Sequence, residues 1–171
     1  MTVFDQILGL PAHPLIVHFA VVLTPLLVLA AAAYALVPRV RTPAAWAVVL
    51  LAGAAPVTVF AAKESGESLK RARFAEVEGP LGARVAAHES YASPLLLSAA
   101  GLAAVTLVLV YATTPGRGSL TSDRFGRPVT VVLSALTVVL AAVAGYFCFR
   151  AGDSGARAVW ASAGMTPLHG V

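Results

Sequence analysis

Charge is what this chain has least of. Asp, Glu, Lys and Arg make up 12% of its 171 residues and 58% are hydrophobic, with a mean hydropathy of +0.84. A soluble domain carries roughly 25% charged residues, so a water-exposed globule is excluded and an integral membrane protein is indicated. Cysteine is nearly absent: Cys148 stands alone and leaves no internal disulfide to form. No Lys or Arg precedes Arg39. The first apolar run therefore lacks the basic leader of a cleaved signal peptide, and it is longer than a signal core; only the small residues 30–35 resemble a cleavage region. Catalytic patterns are also missing. There is no zincin pair, phosphate loop, dinucleotide fingerprint or nucleophile elbow, so enzyme activity is not expected and no catalytic residue is named. No internal repeat stands out, and nothing divides the chain into domains.

What is present is four apolar runs, at 14–36, 43–62, 94–113 and 128–149. Each is long enough to cross a hydrocarbon core, which takes about 20 helical residues, and each opens near a proline, where a missing N–H costs least. The runs are continuously apolar rather than alternating, which favours helices over a barrel. The expected fold is an all-α membrane protein, a single domain of four transmembrane helices in an up-down bundle. A partly helical polar loop at 63–92 and a short C-terminal tail at 150–171 complete it.

Residues 1–13 carry Phe4, Ile7 and Leu8 at helical spacing, which suits a short interfacial helix. In the second loop, Glu67 is one turn before Lys70 and Arg71 and should pair with one of them. Ser98, Gly101, Ala141, Ala142 and Gly145 are small and permit close helix approach. The net charge of +4 comes from basic residues scattered over loops, so the expected partner is the lipid bilayer and not nucleic acid. A homo-oligomer or a membrane-complex partner stays open. Arg39 and Arg41 follow the first helix at once, which places both termini and the 63–92 loop outside a bacterial plasma membrane. Seven basic residues on the expected outer side, from Lys63 to Arg157, outnumber the five on the inner side and pull the other way.

An even number of crossings returns His13, His18, His88 and Asp153 to one membrane face. Ionisable groups at or within a bilayer are costly and are functional candidates by default. His18 lies about 6 Å into the first helix and needs a partner there, which a carbonyl, a carboxylate, a metal or a haem iron can supply. His13 and His18 are about 140° apart around a helix, so they share a ligand face only if the chain is irregular at Pro14. Two readings follow. His13, His18, His88 and Asp153 form a transition-metal ligand set, or His18 and His88, on different helices, clamp a haem b. Against both stands a structural role, in which the imidazoles bond backbone carbonyls. Asp153 and Arg157 are spaced as an i, i+4 pair, and His169 is assigned no role.

Four segments resemble a family of small bacterial integral-membrane proteins catalogued as domain of unknown function 2231. They are Gly9-Leu10-Pro11-Ala12-His13-Pro14-Leu15-Ile16-Val17-His18, Ser65-Gly66-Glu67-Ser68-Leu69, His88-Glu89, and Gly152-Asp153-Ser154-Gly155-Ala156-Arg157-Ala158-Val159-Trp160. The resemblance implies a four-helix membrane protein with no settled activity. Members typically carry Gly-His-Ser-Gly where this chain has Gly152-Asp153-Ser154-Gly155. That change puts a harder carboxylate in place of a histidine and disfavours a soft-metal or haem ligand at that position. The sequence thus points to an uncharacterised membrane protein whose same-side histidine cluster binds haem or a transition metal for electron transfer or metal handling. The alternative is a non-enzymatic structural or interaction subunit.

Overall fold

The computed structural model describes residues 6–7, 10–74, 79–114 and 123–162. Four of its helical stretches are long and apolar enough to cross a membrane. A strand pair, β1 (Gln6–Ile7) with β2 (Leu10–Pro11), leads into α1 (Ala12–Leu36). A tight turn over Pro38–Val40 opens α2 (Arg41–Leu69), which passes through a wider π-type turn at Lys70–Phe74. Then come α3 (Gly79–Ser90), α4 (Ala92–Thr113) and α5 (Arg127–Ser162). The spanning helices are α1, α2, α4 and α5, the all-α four-helix arrangement that the apolar runs predict. The chain turns into α5 at Gly126, whose φ of +85° lies in the left-handed region where a side chain would be strained.

Two expectations are corrected. Of the expected interfacial helix, Phe4 and Leu8 lie outside the described residues, and the described ones, Gln6–Ile7 and Leu10–Pro11, form a small antiparallel pair instead. The stretch from Arg150 is no tail: α5 runs unbroken through Gly152 and Gly155 to Ser162. Tertiary packing of this segment outweighs the glycine penalty of about 1 kcal/mol per residue. Residues 163–171, with His169, lie outside the described residues. As expected, α3 leads on into α4, and Gly79–Thr113 forms one candidate span with a local irregularity just before Pro94. The chain leaves the helix at Tyr91, whose N–H reaches back only to the His88 carbonyl at 3.2 Å, because Pro94 has no N–H to offer Ser90.

Around the bundle α1 packs on α2 and α5, and α4 packs on α2 and α5, leaving α1 diagonal to α4. The core is built of small side chains. Ala31, Ala52, Ala55, Ala103, Ala141 and Ala144 close around Leu27 and Leu102, while Leu29, Phe19 and Phe149 are 67%, 63% and 70% exposed. Large apolar groups outside and alanines inside are what a lipid solvent allows, since helices there associate by close backbone approach rather than by hiding apolar surface. Of the small residues picked out in the sequence, Ser98 and Ala141 are buried, Gly101 faces Leu140 and Gly145 faces Val28, whereas Ala142 faces outward. At the end remote from His13, the Tyr34 hydroxyl bonds Thr113 Oγ1 at 2.9 Å. There Arg41 donates to the last-turn carbonyls Tyr34 and Ala35, at 3.1 and 3.2 Å, capping α1.

Candidate functional site

His13 is the second residue of α1, and its ring crosses to the C-terminal part of α2. There Nδ1 lies 3.0 Å from the Ala62 carbonyl oxygen and 3.1 Å from Ser65 Oγ, and the Ser65 hydroxyl itself donates to the Ala62 carbonyl at 3.0 Å. A carbonyl only accepts, so Nδ1 carries a proton, and in the neutral ring the lone pair is then on Nε2. The Cε1–Nδ1 edge of the ring lies against Gly66: a Cβ at that position would come within 3.1 Å of His13 Cε1 and 3.3 Å of Nδ1. Only glycine lets the imidazole this close.

His88, two residues before the end of α3, makes the same arrangement on α5. Its Nδ1 lies 3.0 Å from the Ala151 carbonyl oxygen and 3.1 Å from Ser154 Oγ, with Ser154 donating to the same carbonyl at 3.1 Å. A Cβ on Gly155 would meet His88 Cε1 at 3.0 Å. Each dock is the five-residue pattern Ala-x-x-Ser-Gly, read from Ala62 and from Ala151. Among the described residues neither Nε2 takes a hydrogen bond.

The docks belong to a longer repeat that overturns the expectation of none. At one constant offset, Val49, Leu51, Ala52 and Ala55 of α2 match Val138, Leu140, Ala141 and Ala144 of α5. Phe60, Ala62, Ser65 and Gly66 match Phe149, Ala151, Ser154 and Gly155. Ala52 and Ala141 are both buried, as are Ala55 and Ala144. The signal is legible in the sequence once Ser65-Gly66 and Ser154-Gly155 are laid over one another. It is easily missed because the residues between differ in kind, as where Ala61 stands opposite Arg150 and Lys63 opposite Gly152.

The other expected ligands stand apart. His18 is exposed on α1, and its Nδ1 bonds the Pro14 carbonyl one turn back on the same helix. The helix is regular through Pro14, so the 140° separation from His13 holds. The Asp153 carboxylate is taken by Arg157 Nε at 3.0 and 2.9 Å, the pair its spacing predicts. Among the described residues no group of three or more His, Cys, Asp or Glu side chains is placed to hold a metal ion, so His13, His18, His88 and Asp153 are not assembled as one set. His13 and His88, rather than His18 and His88, are the pair with matched geometry.

Charges surround the docks. Glu67 pairs back to Lys63 rather than forward, and Lys70, opening the wider turn, reaches Glu89 on α3 instead. A cavity of about 300 Å³ is lined by Glu67, Lys70, Arg71 and Glu89, of which Glu67 follows Gly66 and Glu89 follows His88 in sequence. Arg150 donates to the hydroxyls of Tyr91 and Tyr146, tying the α3–α4 junction to α5. Chemically, the site offers two imidazole Nε2 atoms of fixed orientation at the same end of the bundle, with both charge signs beside them. Comparison of the chain with protein-family models, with curated proteins and with solved structures found no match.

Proposed function

We propose that this membrane protein binds a haem or a transition metal through its histidine face and serves electron transfer or metal handling. One observation carries the reading: both docked rings commit Nδ1–H to a carbonyl, which leaves Nε2 as the free nitrogen. Metal-bound histidines commonly show this pattern, because the bond at the far nitrogen fixes the tautomer and aims the ring. Two imidazoles suffice for a haem iron, whose macrocycle supplies the remaining ligands, and imidazole is also a good ligand for copper. Four-helix bundles hold such centres between facing helices. We place this face, both termini and the 63–92 loop on the outer side of a bacterial plasma membrane, on the basis of Arg39 and Arg41 behind the first helix.

The test is an absorption spectrum with metal analysis on detergent-purified protein, before and after supplementation with haem. A haem Soret band, or stoichiometric copper, iron or zinc, is the expected result. A colourless protein free of stoichiometric metal would leave the rival reading, a structural or interaction subunit. The same Nδ1 bonds favour that rival to the extent that they tie α1 to α2 and α3 to α5.

A further inference from the structure

The repeated segments do more than resemble one another; they occupy symmetry-related places. The hairpin α1–α2 and the hairpin α4–α5, with α3 as its leading extension, run in the same sense. Their first helices face each other across the bundle and so do their second helices. That is the arrangement of two copies related by a two-fold axis along the membrane normal, the parallel form of internal repeat in which ligand sites gather where the repeats meet. His13 and His88 fall at the same end, on opposite sides of that axis, each on its own Ala-x-x-Ser-Gly dock. The Lys70–Glu89 ion pair also joins the halves there, from the end of one repeat to the histidine helix of the other.

We infer that the chain is an internally duplicated helical hairpin whose two equivalent imidazoles, His13 and His88, ligate a single iron or copper centre on the axis between the repeats. The inference rests on the metal-binding reading and specifies its stoichiometry and ligands: one centre per chain, one Nε2 from each half, and none from His18. The shared chemistry is a transition metal held between two neutral imidazoles. It arrives either within a haem or as a cuprous ion, which accepts low coordination numbers.

The full-length protein in detergent is titrated separately with haem and, without oxygen, with Cu(I). The decisive variants are His13→Asn and His88→Asn. The asparagine amide N–H takes the place of Nδ1–H on the carbonyl, so the hairpin bond is kept while Nε2 is lost. One equivalent of haem or of Cu(I) should bind the unaltered chain. Each variant should weaken it by roughly tenfold or more, His18→Asn should not, and thermal melting should stay close to that of the unaltered chain. If either asparagine variant unfolds, the unaltered haem-loaded protein still decides: oxidised iron should give the low-spin electron paramagnetic resonance signal of two imidazoles, and copper should show two nitrogen neighbours by X-ray absorption. Binding that survives one of the two substitutions, or two equivalents of which each variant loses one, overturns the shared centre but leaves the metal-binding reading intact. An unaltered chain that takes up neither probe overturns both.

Discussion

At the residue scale, the docks depend on three groups each: a carbonyl, a hydroxyl and a missing side chain. Gly66→Ala and Gly155→Ala put a carbon about 3 Å from an imidazole carbon. Overpacking of that kind costs about 1–3 kcal/mol. Both variants should lower the melting temperature in detergent by similar amounts, and alanine tolerated at either position would contradict the close contact. Ser65→Ala and Ser154→Ala remove one hydroxyl bond each and should cost about 1 kcal/mol, read in the same melts. The histidine pair was legible in the sequence only in part. His13 and His88 are visible as polar residues at the ends of apolar runs, but His18 looks more deeply placed and so more important. What decides between them is rotation about the helix axis: His13 points at Ala62 and His18 points outward, and nothing local in the sequence fixes the zero of that angle.

At the scale of elements, length and hydropathy carried most of the fold. The four apolar runs mark the spanning helices because lipid leaves every backbone N–H and C=O to be satisfied within the segment. What they could not mark is where helix continues beyond the apolar stretch. Polar helix past the hydrocarbon has no composition signature, so α2 reaches Leu69 and α5 reaches Ser162, well past the ends at 62 and 149. The buried hydroxyls give a test of packing within the spans. Thr24 on α1 and Thr106 on α4 are 1% and 0% exposed, and neither Oγ1 has a hydrogen-bond partner among the described residues. An unsatisfied buried hydroxyl costs about 1–3 kcal/mol. Thr24→Val and Thr106→Val, which keep the shape, should therefore raise stability by roughly 1 kcal/mol in chemical or thermal unfolding. A loss of stability in either would show that the hydroxyl is satisfied.

At the scale of the whole molecule, an even number of crossings and a two-fold axis along the membrane normal together place both docks on one face. Single cysteines introduced at positions 13 and 88, in a background lacking Cys148, should react with a membrane-impermeant reagent from the same side of intact cells or sealed vesicles. Labelling from opposite sides would break the bundle topology. Because a protonated imidazole has no lone pair to give, bound metal or haem should also be released on acidification. A spectrum unchanged down to about pH 4, well below the ordinary histidine range, would argue against imidazole ligands.

The break at Tyr91 makes the two halves mechanically unlike. His13 belongs to the rigid body of α1, whereas His88 rides on a twelve-residue helix joined to the bundle where Pro94 denies Ser90 its helical donor. The Lys70–Glu89 pair and Arg150 on Tyr91 hold this short helix against the bundle. Hydrogen exchange should find amides on α3 opening sooner than those at the start of α1. A group bound between the two rings would then come and go past α3, the side whose amides open first.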